Sequence, residues 1–343
     1  MKNPKPQMGT RIPPQAGRTN LAAKDSGASG IMLFAKAAGP TSFSSLGVIK
    51  KALGTGKVGH TGTLDSFAEG LLVVLVGKMT RLVPYITATD KKYLAVVAFG
   101  SETDTLEPSG TVVKEGPLPT RQQVEAVLPQ FRGTIQQVPP AYSAIHVDGK
   151  RASDLVRSGA TAQLPSREIT IHSLELLDFD GSYGLLEVTC SKGTYIRSLA
   201  RDIAAAAGTC AHLVALRRVA VGPFQLENAV FAPSLEAFTL ASRGYGDVPP
   251  TKATATELEE VAGHLIQFTP EMARSCGLVP LFLSSQFAKD FFQGRPLRKS
   301  WFTSWQASAA TEYPVFFESG ELVGMIKKAG EKLSYGFVIP QQG

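Results

Sequence analysis

The unbroken apolar run Leu71 to Val76 constrains the fold more than any other stretch of the chain. A run without polar alternation suits a strand buried on both faces. Small, polar and turn-forming residues lead into it: Gly59, His60, Thr61, Gly62 and Thr63. Between the two parts stands one carboxylate, Asp65. A carboxylate on a Gly-rich loop ahead of a buried strand is held rigidly while still facing a cleft. Spacing alone leaves a second reading open, in which Asp65 only caps a turn.

The 343 residues are enough for one large domain and a small one. No stretch reaches the ~18 apolar residues of a membrane helix, and the charged N-terminus lacks the apolar core of a secretory signal. Cys190, Cys210 and Cys276 have no CxxC spacing, which points to a reducing compartment without a disulfide framework. The five His have no metal-ligand spacing. Net charge is +6, but residues 1–30 carry five cationic side chains against Asp25, a net +4, leaving +2 for the rest. The basicity is concentrated in a tail, and the body is a weak nucleic-acid signal by charge alone.

Residues 1–30 read as a disordered basic arm. Order is expected from the short strand Ile31 to Phe34. After the turn at Gly39-Pro40, Thr41 or Ser42 caps a helix to about Leu53, with Phe43, Leu46 and Ile49 at helical spacing. Asp90 to Tyr93 leads into a strand, 94–99. Thr120 caps a helix over 122–130. The pair Pro139-Pro140 enforces extended backbone, Ser143 to Val147 reads as a strand, and Lys150 to Arg157 as a basic helix. Strands over 167–179 and 184–190 flank Gly181-Ser182. Ile196, Leu199 and Ile203 mark the buried face of a helix. Tyr195 and Arg197 share a side only if their segment is extended, and the sequence leaves that open. Residues 241–278 read as a linker and connecting segment. From about Val279 the pattern changes to short strands.

Four ordered blocks over residues 31–235 resemble the TruB family of bacterial tRNA pseudouridine synthases. GHTGTLD, its apolar run and GKMTR look like that family's motif II; the resemblance makes Asp65 the catalytic nucleophile and lays His60 against RNA. KAAGPTS is a partial match to the Lys-Pro-x-Gly-x-Thr-Ser opening. DKKY followed by GSETDT resembles the second block, which implies that Tyr93 stacks on the target base and relays a proton. CSKGTYIRSLARDIA places Tyr195 and Arg197 in the active site, Arg197 with a catalytic role. AHLVALRRVAVGPF sets Leu216 near the base. QVPPAYSAIHVDGKRASDLVRSG resembles a thumb-like insert, 139–165, in which Lys150 and Arg151 would grip RNA and which would order on binding. The sequence departs from the family after Asp65, where Ser66, Phe67, Ala68, Glu69 and Gly70 replace a Pro-Leu-Ala-Thr-Gly run. In the insert, His146 replaces a Lys and Ser153 an aromatic residue.

The resemblance implies an α+β pseudouridine synthase fold: a central mixed, mainly antiparallel sheet flanked by helices over 31–240, and a small β-rich PUA-like unit over 279–343. It implies isomerisation of uridine to pseudouridine at position 55 of the tRNA T-loop, with the base flipped out. It also implies a cytoplasmic monomer that binds the T-arm stem-loop, needs no metal, cofactor or obligate protein partner and does not associate with membrane. Two other readings remain: an RNA-guided pseudouridylase of the box H/ACA type, and an RNA-folding module without essential catalysis.

Overall fold

The computed structural model describes residues 27–143, 146–147, 150–151, 164–242, 254–305 and 309–340. Its strands are β1 (Gly30–Lys36), β2 (Val58–His60), β3 (Glu69–Val76), β4 (Lys91–Phe99), β5 (Ser101–Thr103), β6 (Val112–Glu115), β7 (Gly133–Gln137), β8 (His146–Val147), β9 (Lys150–Arg151), β10 (Arg167–Phe179), β11 (Tyr183–Cys190), β12 (Ala211–Val221), β13 (Phe224–Gln225), β14 (Leu281–Phe282), β15 (Glu312–Phe316), β16 (Leu322–Ala329) and β17 (Lys332–Val338). A nine-stranded sheet runs β1-β3-β12-β4-β11-β10-β7, with β2 added to β3 and β13 to β12. All its pairs are antiparallel except β3 with β12. A four-stranded sheet, β14-β15-β16-β17, ends the described chain. This is the α+β class expected from the sequence.

The apolar run lies inside β3, and every residue of that strand is buried. Its side chains alternate between two clusters. Leu72, Val74 and Val76 join Met32, Phe34, Leu46, Ile49, Leu199 and Ile203 under the helices Ser42–Leu53 and Ile196–Ala206. Leu71, Val73 and Leu75 join Ile31 and Leu33 on the opposite face, together with Phe268, Met272, Phe316, Met325 and Ile339 from the last third of the chain. Burying each Val or Leu on this strand contributes about 1.5–3 kcal/mol, so β3 is anchored from both sides.

Local order departs from the sequence reading in four places. Order reaches further back than Ile31: Ala28 is in the core, and Gly30 packs so closely on Leu265 and Ile266 that a Cβ would lie 2.7 Å and 2.8 Å from them. The close approach to Ile266 is to its backbone oxygen, which hydropathy does not register. Lys150 and Arg151 form a two-residue strand paired with His146 and Val147 rather than the start of a helix; their side chains, and residues 152–163 of the insert, lie outside the described residues. Phe43 shares helical spacing with Leu46 and Ile49 but is 72% exposed. Ser42 takes the inward position instead, because its hydroxyl is needed below. Within the stretch read as connecting segment, Thr254 and Glu257 form a capping box for the helix Ala255–Ala262, which packs on Ser42–Leu53.

Candidate active site

β1 occupies the whole of one edge of β3, from Gly70 to Val76. β2 and β12 therefore share the other edge, β2 opposite Val74 to Val76 and β12 opposite Glu69 and Gly70. The chain between β2 and β3, residues 61–68, leaves that edge beside Val74 and returns to it at Glu69. Asp65 is in this loop.

Both neighbours of Asp65 are fixed through their backbone. The buried Ser42 hydroxyl accepts from Leu64 N at 2.8 Å and donates to Leu64 O at 3.0 Å. Ser66 O accepts from Gly39 N at 2.8 Å and from the Lys36 ammonium at 3.1 Å. Lys36 is fully buried at the end of β1, and its Nζ also donates to Ala37 O and Ala68 O. Burial pushes its pKa down to about 8, although Asp65 and Glu69 pull the other way. Asp65 itself keeps a third of its side chain open to solvent. Its flanks are immobilised and its carboxylate is accessible.

Arg197 meets this carboxylate from the start of the helix that follows β11. The helix begins at Ile196, with Tyr195 extended at the N-cap, so Arg197 sits in the first turn, pointing inward and 2% exposed. Its Nη2 donates to Asp65 Oδ1 at 3.2 Å and to Tyr142 O at 3.1 Å. Its Nη1 donates to Thr105 O at 3.0 Å and lies 2.6 Å from Glu107 Oε1. Nε is 3.0 Å from Asp65 Oδ2, close enough for an ion pair but not aligned for a hydrogen bond. A guanidinium held at three other points presents one fixed edge to the carboxylate.

Tyr93 projects from β4 between Val188 of β11 and Arg218 of β12. Burial raises its pKa, so the phenol keeps its proton; Arg218, hydrogen-bonded to it, opposes the rise. Arg218 is 2% exposed and donates to Leu71 O at 2.8 Å and Gly62 O at 3.0 Å, tying β12 to β3 and to the Asp65 loop. Its neighbour Arg217 pairs with the buried Glu69, Nε lying 2.6 Å from Oε1, and donates to Glu236 O at 2.8 Å. Glu69 is one of the departures noted after Asp65, and it supplies the anion that Arg217 needs.

The remaining sequence candidates separate. His60 Nδ1 accepts from Gly62 N at 3.3 Å at the start of the same loop, and burial and Arg218 hold its pKa down, favouring the neutral ring. Leu216 is buried in the same cluster as Tyr93 and Leu64. Tyr195 is bracketed by the Gln137 side chain, which donates to its carbonyl at 3.1 Å and accepts from its amide at 2.8 Å, and its ring faces the Arg167 guanidinium at 5.2 Å. The structure thus brings Asp65, Arg197, Tyr93, His60 and Leu216 around one loop, with Tyr195 at the helix start beside it. Sequence reasoning missed Lys36, Ser42, Glu107 and Arg218. A lysine closing an otherwise apolar strand was a readable signal for Lys36.

Residues 50–196 match the N-terminal domain model of the TruB family pseudouridylate synthases, and residues 197–248 match the C-terminal domain model of tRNA pseudouridylate synthase B. A tRNA pseudouridine synthase B of Treponema denticola is 43% identical over 303 residues, covering 79% of this chain and 85% of its own. The chain belongs to the TruB family. A tRNA pseudouridine synthase B of Treponema pallidum is 37% identical over 353 residues, covering 90% of this chain and 96% of its own. Two solved structures share the fold: a Cbf5–Nop10–Gar1 complex, at TM-score 0.62 and 23% identity over 90% of this chain and 84% of that one, and an H/ACA RNP bound to a substrate RNA containing 2′-deoxyuridine, at TM-score 0.63 and 21% identity over 98% and 92%. In this TruB-family site the Asp65 loop is shaped by Glu69 and Arg217 as well as by the lysine and serine that clamp it.

Proposed function

We propose that this chain isomerises the uridine at position 55 of the tRNA T-loop to pseudouridine, with Asp65 as the reacting carboxylate. Its class is that of its family, a tRNA pseudouridine synthase and therefore an isomerase. The observation that carries the finer reading is the Asp65–Arg197 contact on a loop fixed at both neighbouring residues.

The reaction breaks the N1–C1′ bond, turns the uracil, forms the C5–C1′ bond, releases the proton of C5 and leaves N1 carrying a proton taken up from solvent. A carboxylate serves it by attack at C1′, by attack at C6, or by accepting the C2′ proton. Each route needs the carboxylate in one place while the base moves, and the clamps on Leu64 and Ser66 supply that. Arg197 stays with Asp65 and aims it. Tyr93 offers an aromatic face for the flipped uracil. Its phenol relays the C5 proton only with a counter-charge at hand, and Arg218 is that charge. His60, neutral at the mouth of the loop, fills the space the base leaves in the RNA.

The test is tritium release from tRNA labelled at uridine C5, using the purified chain with no guide RNA and no added protein. Stoichiometric release from one site, mapped to the T-loop, is the expected result and is common to all three chemical routes. Release only after a guide RNA is supplied would move the chain to the box H/ACA mode of action. Binding without release would leave an RNA-folding module.

A further inference from the structure

The first turns of the helix Ser42–Leu53 carry a surface that the catalytic residues do not use. Phe43 is 72% exposed, the most open of the chain's large hydrophobic side chains among the described residues. The Lys50 ammonium lies 4.5 Å from the centre of its ring. Between them, on the same side of the helix, is Gly47, exposed, with nothing within 4 Å of the place a Cβ would occupy. A glycine inside a helix lowers its stability relative to alanine, and here it fills no packing need. Its effect is to leave a bare strip of helix beside the ring. An exposed aromatic ring, an open strip of helix and an ammonium held at the ring make a platform of the kind on which an unpaired base stacks while its phosphate meets a lysine. Lys51 extends the positive charge along the helix.

The platform stands on the helix that clamps the Asp65 loop. Ser42, the residue before Phe43, is the one whose hydroxyl holds Leu64 beside Asp65. An RNA loop whose uridine enters at Asp65 therefore passes this helix end.

We propose that Phe43, Gly47 and Lys50 form an accessory stacking site for one unpaired RNA base flanking the target uridine. The proposal rests on the function given above. Its occupant is RNA because the two chemical elements present, an exposed ring and neighbouring ammonium groups, match a base and a phosphate together. The serine-clamped helix start sets where that base lies relative to Asp65.

The experiment measures binding of a fluorescein-labelled T-arm stem-loop by anisotropy, with thermal melting of each variant alongside. Phe43→Ala is expected to weaken binding about tenfold and to raise KM more than it lowers kcat, whereas Phe43→Trp keeps the affinity. Lys50→Gln should reduce the salt slope by about 0.7. Gly47→Gln gives the decisive readout: it should raise the melting temperature by removing a helix glycine, yet weaken binding by covering the strip. A loss of structure cannot produce that combination. Unchanged affinity in both Phe43→Ala and Gly47→Gln overturns the site. So does unchanged RNA affinity accompanied by altered protease protection of residues 1–26, since the chain's own arm would then be the occupant. Anisotropy needs no turnover, so a wild-type chain that fails to release tritium would refute the function above while leaving this binding result to be judged separately.

Discussion

Arg197 meets Asp65 edge-on, its Nη2 3.2 Å from Oδ1 and its Nε 3.0 Å from Oδ2, while Glu107 takes Nη1 at 2.6 Å on the far side. The guanidinium is thus shared between two carboxylates, one accessible and one largely enclosed. The enclosed one sets the angle at which the accessible one is held.

Asp65→Asn keeps the shape and the clamps on Leu64 and Ser66 but removes the charge to which the proposed mechanism gives the reacting role. Turnover should fall below detection while affinity for the T-arm stem-loop stays within about tenfold. Single-turnover tritium release and anisotropy check the two halves. Turnover above a few per cent of wild type would return Asp65 to the role of a turn cap.

Replacing Arg197 by Lys removes the contacts to Thr105 O, Tyr142 O and Glu107 that one ammonium cannot make at once. We expect kcat to fall about 100-fold. Glu107→Gln, which leaves Arg197 in place with a weaker anchor, should lower kcat about tenfold and KM little. A larger effect on KM than on kcat in Glu107→Gln would show that the glutamate touches RNA instead.

The Lys36 clamp gives a pH dependence with a definite sign. Its folded pKa of about 8 lies below the free value of 10.5 because burial outweighs the pull of Asp65 and then of Glu69. Raising the pH through about 8 removes one of the three protons that hold Ala37 O, Ser66 O and Ala68 O. kcat should therefore fall on the alkaline side. The same titration relieves a buried charge, so this group's contribution to stability rises between about pH 8 and 10.5. Activity and stability move in opposite directions. Lys91, also lowered to about 8 mainly by burial, titrates in the same window. A Lys91→Gln variant that keeps the alkaline limb of the kcat–pH profile assigns it to Lys36, and one that abolishes the limb assigns it to Lys91.

Gly70→Ala should be among the most damaging single-methyl changes. Gly70 has φ +104° and sits where β3 meets β12, and a Cβ there would lie 2.4 Å from Arg218 O. The strain and the overpacking together should cost about 2–4 kcal/mol, read as a lower urea midpoint with an unchanged slope. Activity per folded molecule should fall as well, because Arg218 carries the tie to Gly62 and Tyr93.

What was readable in the sequence was whatever repeats along it. The strand through Leu71 and Val76, the helix through Leu199 and Ile203, and the hairpin around Gly181 each announce themselves by a local period or a turn. The supports of the site do not. Ser42 reaches Leu64 and Lys36 reaches Ser66 and Ala68 across the fold, and Arg197 reaches Glu107 from nearly a hundred residues away. Nothing near any of these residues in the chain signals the pairing. Phe43 shows the converse: its spacing fits the buried face, but Ser42 occupies the inward position and turns the ring to solvent.

The back face of the sheet has a further consequence for how the molecule is built. Ile31, Leu33, Leu71, Val73 and Leu75 find much of their cover in Phe268, Met272, Phe316, Met325 and Ile339, beside Leu82 and Ile86 from the first part of the chain. Arg81 and Lys78 then fasten the seam by donating to Val338 O and Pro340 O. The last third of the chain thus completes a wall that the first part only begins. A chain cut before residue 254 would bare an oily sheet next to the residues that brace Asp65, and its partner in aggregation would be another copy of itself.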